Sequence, residues 1–335
     1  MLRNNSKSVL EYIWIDAYGG LRSKTKVLNN NFAGSLDKIP EWNYDGSSTG
    51  QADGNSNTEV ILKPCFICVD PLRNIDNYSS YLVLCDTYDI NGHPLPSNHR
   101  YNAKHIFEQK LEEEPWFGLE QEYFFIGISN NYSISDGFHY CGSSVINLER
   151  KIVEEHLSMC LKAGINISGI NAEVVEKQWE FQVGPCVGID AGDQLIVARY
   201  ILERVAEKYN VSINYNPKPS SETNGSGCHT NFSTVKTREI FGVEEIRSCM
   251  AKLERKHKEH ISVYGQDNHL RLTGIHETAS IEKFTYGIGT RNTSVRIPNQ
   301  VIKDGFGYFE DRRPAANIDP YQVTSIIFKT CCLDE

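Results

Sequence analysis

The chain has 335 residues, of which 40% are hydrophobic and 23% charged, a composition that excludes a disordered protein. Its 34 Lys and Arg residues against 43 Asp and Glu residues give a formal net charge of −9, which argues against a general nucleic-acid or anionic-membrane binder. No run of about 20 apolar residues indicates a membrane span, and the polar first eleven residues do not resemble a secretory signal. The ten cysteines lack zinc spacing, so we expect reduced, mostly buried thiols in an intracellular protein.

The first part of the chain is predicted to form a small domain built mainly of strands. Alternating apolar residues indicate strands near residues 12–16, 21–27, 59–64 and 81–86. Turn-forming residues over 44–50 indicate a loop, and the Gly- and Pro-containing segment 91–98 indicates a domain boundary. The length of the chain leaves room for a larger second domain.

The second part is predicted to mix helices and strands. Apolar residues at helical spacing indicate helices over 101–114, 148–163, 190–209 and 243–260. Asp190 is predicted to cap the third of these helices. Strands are indicated over 116–126, 178–183 and 227–233, and the last part adds strands, an arginine-rich loop and an apolar segment. Because the order is irregular, the predicted fold class is α+β.

Two carboxylates separated by one residue give the first chemical signal. Glu120 and Glu122 lie in the strand predicted over 116–126, where residues i and i+2 point to the same face. Two anions among aromatic residues repel each other and lose hydration unless a cation lies between them. A divalent metal site is one interpretation, and an exposed edge strand with ordinary acidic residues is the other.

Further polar residues extend this signal. Glu173, Glu180 and Glu310 add carboxylates, although Glu310 with its neighbouring arginines is also typical of a salt-bridged surface turn. His229 adds an imidazole, which taken alone is more typical of a hydrogen-bonded core residue than of a ligand. Taken together, carboxylates with a single imidazole favour Mg²⁺ or Mn²⁺ over zinc or copper.

Arginines collect in the last third of this acidic chain, at positions 271, 291, 296, 312 and 313. Guanidinium groups fit phosphate and carboxylate, and together with a divalent metal they are typical of phosphoryl transfer from a nucleotide. The chain contains neither a P-loop nor the protein-kinase motifs. The residues therefore predict a metal-dependent ATP enzyme outside those two groups.

Seven longer motifs carry a resemblance to a known family. They are PEWNYDGSSTG at 40–50, PWFGLEQEY at 115–123, AGINISGIN at 163–171, QWEFQVGP at 178–185, NGSGCHTNFS at 224–233, RLTGIHET at 271–278 and GYFEDRRPA at 307–315. These motifs resemble those of glutamine synthetases of the eukaryotic type II form, and of the plant version more than the animal version. They are spread over nearly the whole chain.

The resemblance implies an enzyme of nitrogen assimilation that ligates ammonia to L-glutamate at the expense of ATP, through γ-glutamyl phosphate. It implies a small N-terminal β-grasp domain over residues 1–95 and a larger catalytic domain over 96–335. It also implies two stacked pentameric rings with active sites between neighbouring subunits. We therefore expect a cytoplasmic homo-decamer that binds neither nucleic acid nor membrane.

Carried over residue by residue, the resemblance implies two or three Mg²⁺ or Mn²⁺ ions in each site. One ion would be held by Glu122, Glu173 and Glu180, and the second by Glu120, His229 and Glu310. The implied glutamate-binding residues are Asn224, Gly225, Arg271, Arg291 and Arg312. The implied ATP-binding residues are Trp116, Glu120, Glu180, Pro185, Asn231, Phe232, Ser233, Arg291, Arg296 and Tyr308.

Three residues receive catalytic roles from the same resemblance. Asp45 would help to bind ammonium and take its proton, although the residues alone favour an Asx-turn at this Asp-Gly sequence. Glu277 would close over the intermediate and shut out water. Arg291 would bind the phosphates of ATP.

The chain also departs from the family pattern. Residues 126–139 form a shorter segment than in plant and animal members, and the part before Tyr12 is short as well, which leaves substrate contacts and ring stacking open. Two alternatives accompany the main interpretation. One is a non-catalytic structural relative, and the other is a ligase that joins glutamate to an amine or polyamine.

Overall fold

The computed structural model describes residues 7–29, 32, 34–55, 57–73, 78–128, 139–143 and 147–334. The strands are β1 Lys7–Ile15, β2 Leu21–Leu28, β3 Trp42–Asp45, β4 Glu59–Val69, β5 Tyr78–Tyr88, β6 Trp116–Ile126, β7 Ile167–Ala172, β8 Gln178–Val187, β9 Ser212–Asn214, β10 Cys228–Ser233, β11 Tyr286–Ile288, β12 Val295–Ile297 and β13 Phe309–Asp311. The α-helices are α1 His99–Phe107, α2 Asn147–Ala163, α3 Ile189–Glu207, α4 Val235–Arg238, α5 Gly242–Arg255, α6 His257–Val263, α7 Asn299–Asp304 and α8 Pro320–Cys332. Strands and helices mix irregularly, so the predicted α+β class is confirmed.

The first five strands form one sheet in the order β2-β1-β5-β4-β3, with β1 and β5 parallel and the other neighbours antiparallel. Apolar residues on one face form a small core of their own, which includes Leu10, Tyr12, Trp14, Leu62 and Val83. On the other face, Ile13, Leu82 and Leu84 belong to the main core of the protein. The sheet is therefore packed on both faces, as the alternation of its strands requires.

The two edges of this sheet curl toward each other. Lys24 on β2 donates a hydrogen bond from Nζ to the carbonyl oxygen of Asn43 on β3, at 3.0 Å. The Nζ atoms of Lys24 and Lys26 lie 4.0 and 4.7 Å from the ring centre of Trp42. The strong twist of β-sheets allows this approach, and the lysines close the gap between the edge strands.

The second sheet has eight strands, in the order β11-β12-β13-β10-β6-β8-β7, with β9 paired to β6. Helices α2 and α3 pack on one of its faces, where Phe117, Leu119 and Tyr123 of the central strand β6 are buried. Because side chains alternate along a strand, Glu120 and Glu122 point to the opposite face. That face carries the candidate site.

The structure corrects two predicted helix boundaries. Asp190 is not the N-cap of α3 but lies in its first turn, because the helix begins at Ile189. The N-cap is Gly188, which has a φ of 54° and comes directly after strand β8. The helix predicted over 243–260 is broken at Lys256 into α5 and α6. The break turns the buried His257 toward Arg313, whose Nη1 lies 3.0 Å from His257 Nδ1.

Three further expectations concern the cysteines, membrane-spanning helices and the shortened segments. All ten cysteines are free thiols, as predicted. Among the described residues, none of the helices has the length and apolar character needed to cross a bilayer. Most of the shortened segment, residues 129–138, lies outside the described residues, and so do residues 1–6.

A partly buried carboxylate outside the candidate site gives a stability prediction. Glu203 on α3 lines a cavity of about 510 Å³ together with Tyr215 and Asp319. Burial raises the pKa of Glu203 from its ordinary 4.5 to about 7, partly opposed by Arg199 and assisted by Glu207. Because this pKa is higher in the folded state, the contribution of Glu203 to stability falls as the pH rises from about 4.5 to about 7 and stays low above it.

We therefore expect Glu203→Gln to raise the Tm at pH 8, by an amount equivalent to ~2 kcal/mol or less, and to leave it nearly unchanged at pH 4. Thermal unfolding at both pH values measures the difference. Glu254→Gln, a change at an exposed position of α5, serves as the control. An equal shift of the Glu203→Gln variant at both pH values contradicts the prediction.

Candidate active site

Strand register gathers the predicted metal ligands on the polar face of the large sheet. His229 on β10 lies directly opposite Glu120 on β6, and Glu180 on β8 lies opposite Glu122. Glu310 enters from β13, on the far side of β10. Side chains on neighbouring strands at paired positions lie side by side, so residues more than 100 positions apart in the chain share one surface.

Glu120, His229 and Glu310 form the tightest group, with candidate ligand atoms that all lie within 4.8 Å of one another. His229 Nδ1 is 3.3 Å from Glu120 Oε2 and 3.5 Å from Glu310 Oε1. Burial, aided by Arg312, holds the pKa of His229 well below its usual value. The imidazole is therefore neutral, which is the form that binds a metal.

Glu122, Glu173 and Glu180 lie close enough to affect one another's charge, but among the described residues their oxygens do not form a group as tight as the first. Burial, reinforced by Glu173, raises the pKa of Glu122 to about 8. Burial, reinforced by Glu120 and Glu122, raises the pKa of Glu180 to about 9. Buried carboxylates that raise one another's pKa fit a site whose charge is balanced by a divalent cation, and oxygen donors with one imidazole suit Mg²⁺ or Mn²⁺.

Hydrogen bonds fix the carboxylate of Glu122 in place. Its Oε2 accepts from the backbone N–H of Gly227 at 2.8 Å and from Gln178 Nε2 at 3.1 Å. On the neighbouring carboxylate, Glu120 Oε1 accepts from Asn231 Nδ2 at 2.7 Å. Backbone and side-chain amides, which are neutral donors, thus hold Glu120 and Glu122 in place.

Arginines surround this cluster of acids. Arg312 Nη1 lies 2.7 Å from Glu310 Oε1, and Arg296 Nε contacts the other oxygen of the same carboxylate. Arg271 is buried and donates from Nη2 to His229 Nε2 and to the carbonyl oxygen of Arg312, both at 3.0 Å. Arg313, which the sequence groups with these arginines, points into the core instead and pairs there with Asp311 at 2.6 Å.

A small polar cavity adjoins the acids. Four of the predicted glutamate-binding residues line it, namely Asn224, Gly225, Arg271 and Arg312. Glu122, Glu173 and His229 form another part of its wall, and Glu277 lies at its edge. Arg291 is connected to this cavity through Glu277, since its Nη1 lies 3.2 Å from Glu277 Oε2.

A second cavity, of about 520 Å³, is largely apolar. Seven predicted ATP-binding residues line it, namely Trp116, Glu120, Pro185, Asn231, Phe232, Ser233 and Tyr308. The other three predicted ATP contacts, Glu180, Arg291 and Arg296, lie outside its wall. A cavity of this size with aromatic walls and few polar groups suits a purine ring.

Sequence reasoning missed several residues of these walls. Arg238 lies 4.0 Å from the ring centre of Trp116, so a cation covers one side of the apolar cavity. Gln178 and Gln182 flank Glu180 on the same face of β8 and line the polar and the apolar cavity respectively. Their spacing of two residues on either side of Glu180 was a signal that could have identified them.

Asp45 lies on the other sheet of the protein, at the end of β3. Its exposed carboxylate accepts hydrogen bonds from the backbone N–H of Ser47 at 3.0 Å and from Ser47 Oγ at 2.7 Å. These hydrogen bonds lower the pKa of Asp45, so it is an anion. Within one chain Asp45 thus makes the predicted Asx-turn, and no hydrogen bond or ion pair links it to the described residues of the polar cavity.

Comparison with known proteins finds similarity to glutamine synthetases. The family model described as glutamine synthetase, catalytic domain, matches residues 98–257. The chain is 54% identical to a putative glutamine synthetase of Acanthamoeba polyphaga mimivirus, over 98% of this chain and 95% of that one. It is 52% identical to the glutamine synthetase of Emericella nidulans, over 96% and 92% of the two chains, and 48% identical to that of Saccharomyces cerevisiae, over 99% and 91%.

The fold also has a counterpart among solved structures. The cryo-EM structure of Plasmodium falciparum glutamine synthetase matches 99% of this chain and 72% of its own, with a TM-score of 0.78 at 17% identity. The two proteins thus share a fold although few of their residues are identical. Identity of about one half along almost the full length of both chains, together with this fold, shows that the chain belongs to the glutamine synthetase family.

Proposed function

We propose that this protein ligates ammonia to L-glutamate with ATP and gives L-glutamine, ADP and phosphate through γ-glutamyl phosphate. One observation carries the proposal: the apolar and the polar cavity meet at Glu120 and His229, which lie 3.3 Å apart. A nucleotide in one cavity and an amino acid in the other would direct the γ-phosphate and the γ-carboxylate toward the same cluster of acids.

The metal sites follow from the two groups of acids. We assign one Mg²⁺ or Mn²⁺ ion to Glu120, His229 and Glu310, and another to Glu122, Glu173 and Glu180. When bound, such ions neutralise phosphate charge and so favour phosphoryl transfer. Without them, the buried carboxylates would repel the substrate phosphates.

The arginines supply the remaining positive charge. In the first step an oxygen of the glutamate γ-carboxylate attacks the γ-phosphorus of ATP, and the bond to ADP breaks. We assign the binding of the transferred group's oxygens to Arg291, Arg296 and Arg312, which pair with Glu277 and Glu310, because guanidinium groups stabilise such charge. In the second step ammonia attacks the acyl carbon, and phosphate leaves.

The group that binds ammonium and accepts its proton comes, in our proposal, from another subunit. Ammonium must lose a proton before it attacks, and an exposed carboxylate is suited to bind the cation and accept that proton. We assign this role to Asp45 of a neighbouring subunit, because Asp45 is exposed and ionised and lies on the other sheet of its own chain. Such a head-to-tail contact closes into rings, and two stacked pentameric rings are the assembly we propose.

The same assignment divides the chain into two domains, at 1–95 and 96–335, each with one of the two sheets. Ten free cysteines fit the reducing cytoplasm, which is the compartment we propose.

The basic test of the proposed function is phosphate release from ATP with L-glutamate, with and without ammonium, together with the glutamine formed. Phosphate release without any glutamine, or activity only with methylamine or putrescine, contradicts the proposal.

A prediction about Glu277 concerns the fate of the intermediate. Glu277 is half-exposed at the edge of the polar cavity and pairs with Arg291. If it closes the site over γ-glutamyl phosphate, Glu277→Ala should form this intermediate but lose it to water. We expect ATP consumption to exceed glutamine formation severalfold, measured as the ratio of phosphate to glutamine.

The control for this variant is Glu282→Ala, an exposed glutamate of the same segment that lines neither cavity. Its ratio of phosphate to glutamine should stay near one, as for the unmodified protein. If Glu277→Ala loses both products in strict proportion, Glu277 does not guard the intermediate.

A further inference from the structure

Glu173 differs from the other five residues that we assign as metal ligands, because it lies outside a strand. The other five are in β6, β8, β10 and β13, each of which has a neighbouring strand on both sides. Glu173 follows Ala172, the last residue of β7, and donates from its N–H to the carbonyl oxygen of Gln178 at 2.9 Å. In a regular antiparallel pair the N–H of Gln178 would donate to Glu173 in return, but it donates to the carbonyl oxygen of Val175 at 3.0 Å. The carbonyl oxygen of Glu173 therefore needs a donor from elsewhere in the fold.

His139 supplies this donor. Its Nδ1 lies 2.7 Å from the carbonyl oxygen of Glu173, and its Nε2 lies 3.1 Å from Glu149 Oε2. A backbone carbonyl only accepts, and Glu149 Oε2 is also an acceptor, since Trp179 Nε1 donates to it at 2.7 Å. Both ring nitrogens of His139 must then carry hydrogens, so the side chain is an imidazolium ion. The side chains of His139 and Glu149 are 2% and 1% exposed, so this ion pair is almost entirely buried.

Backbone contacts hold the segment that carries His139. The N–H of Cys141 donates to the carbonyl oxygen of Ala172 at 3.0 Å. Arg150 Nη2 donates to the carbonyl oxygen of Gly142 at 2.6 Å. Residues 139–142 thus bind two consecutive carbonyl groups at the end of β7, one through a backbone N–H and the next through the imidazolium ring.

The carboxylate of Glu173 follows its backbone, because its hydrogen-bond donors in the described part of the chain are close in sequence. Oε1 accepts from Asn171 Nδ2 at 3.0 Å, and Oε2 accepts from the N–H of Val174 at 3.2 Å. The carboxylate of Glu122, by contrast, is held by donors that are 56 and 105 positions away. A shift of the Glu173 backbone would therefore move its carboxylate relative to the other acids of the site.

We propose that His139 is a positioning residue, which holds the backbone of Glu173 so that its carboxylate stays directed at a divalent ion. The proposal rests on the metal site that we assign under the proposed function. Glu149 in turn orients the imidazolium ring and is itself anchored to Trp179 of β8. Groups that orient a metal ligand from outside change metal affinity by about 10- to 100-fold when they are removed.

Asparagine and glutamine test the two nitrogens of His139 separately. The amide nitrogen of asparagine is bonded to Cγ, like Nδ1, and that of glutamine lies one atom further out, like Nε2. His139→Asn should keep the hydrogen bond to Glu173 and lose the one to Glu149, and His139→Gln should do the reverse. Calorimetric titration with Mn²⁺ measures the affinity. We expect His139→Gln to weaken the binding of one Mn²⁺ ion by about 10- to 100-fold and His139→Asn to bind Mn²⁺ like the unmodified protein.

Two controls separate positioning from a general loss of stability. Raising the Mg²⁺ concentration should restore glutamine formation in His139→Gln, because only the affinity for the ion is reduced. His156→Gln is the matched variant, since His156 on α2 is also buried, donates from Nε2 to the carbonyl oxygen of Ala198 at 3.0 Å and lines neither cavity of the site. It should lower the Tm and leave the affinity for Mn²⁺ unchanged.

Equal weakening of Mn²⁺ binding in His139→Asn and His139→Gln overturns the proposal, because His139 would then act only through its buried pair with Glu149. Unchanged affinity in His139→Gln also overturns it. If either variant does not fold, the same substitution is combined with Glu149→Gln, which removes the buried negative charge and keeps an acceptor for Trp179, and the same comparison decides. An unmodified protein that binds Mn²⁺ but forms no glutamine from ammonia contradicts the proposed function and not this inference.

Discussion

Replacing Glu122 by glutamine is expected to reduce glutamine formation by at least about a hundredfold, since even residues that only support metal ligands cost 10- to 100-fold. Glutamine has the shape of the lost side chain and can still accept the hydrogen bond from Gly227, so the fold should be kept. What disappears is one of three acids that we assign to a divalent ion. The measurement is the rate of glutamine formation at saturating ATP, L-glutamate and ammonium.

A second readout for Glu122→Gln does not depend on turnover. A ligand that binds only the folded state raises apparent stability, by ~2.7 kcal/mol at a concentration of 100 times its Kd. We expect Mg²⁺ to raise the Tm of the unmodified protein clearly and that of the variant much less. Glu259→Gln, at an exposed position of α6, should respond to Mg²⁺ like the unmodified protein. Near-normal turnover of Glu122→Gln contradicts the metal assignment.

Two inactive variants should regain activity when they are produced together. Asp45→Ala removes the acid that we assign to the neighbour's site, and Glu310→Gln removes a residue that we assign as a metal ligand in a subunit's own site. In a mixed ring, an intact site forms wherever a Glu310→Gln subunit donates its Asp45 to an Asp45→Ala subunit. Random mixing makes ~a quarter of the sites intact, because each site needs one ordered pair out of four.

The matched control combines Glu122→Gln with Glu310→Gln. Both changes affect the same side of the site, so every site in a mixed ring stays defective and no activity should return. Mixing preassembled oligomers of Asp45→Ala and Glu310→Gln should also restore nothing unless subunits exchange. If co-assembled rings, verified with two different tags, stay inactive, Asp45 is only the Asx-turn residue that a single chain shows.

The period of two residues along a strand explains what the sequence could predict about the site. This period predicted that Glu120 and Glu122 point to the same face of the strand, and the structure agrees. The same period separates Arg312, which reaches Glu310, from Arg313, which is buried against Asp311. Counting arginines in the sequence ignored this alternation, and Arg313 was therefore grouped with the wrong neighbours.

Features set by distant contacts could not be predicted in this way. The apolar spacing over 243–260 continues through Lys256 and does not indicate the break there, beside which His257 contacts Arg313, 56 positions away. The hydrogen bonds of His139 likewise reach residues 10 and 34 positions away, which only the folded chain brings together. The role that we propose for Asp45 involves a neighbouring subunit, so neither the sequence pattern nor a single chain determines it.

The curled N-terminal sheet has a consequence for how copies of this chain meet. The edge strand of an open sheet offers unpaired N–H and C=O groups, to which a strand of another molecule can add. Here β2 and β3, the two edge strands, approach each other, and Lys24 occupies the backbone carbonyl of Asn43 in the gap between them. A strand that arrived from another copy would have to displace this lysine and the Lys26 ammonium near Trp42. The N-terminal sheet is thereby protected from strand exchange with another copy of this chain.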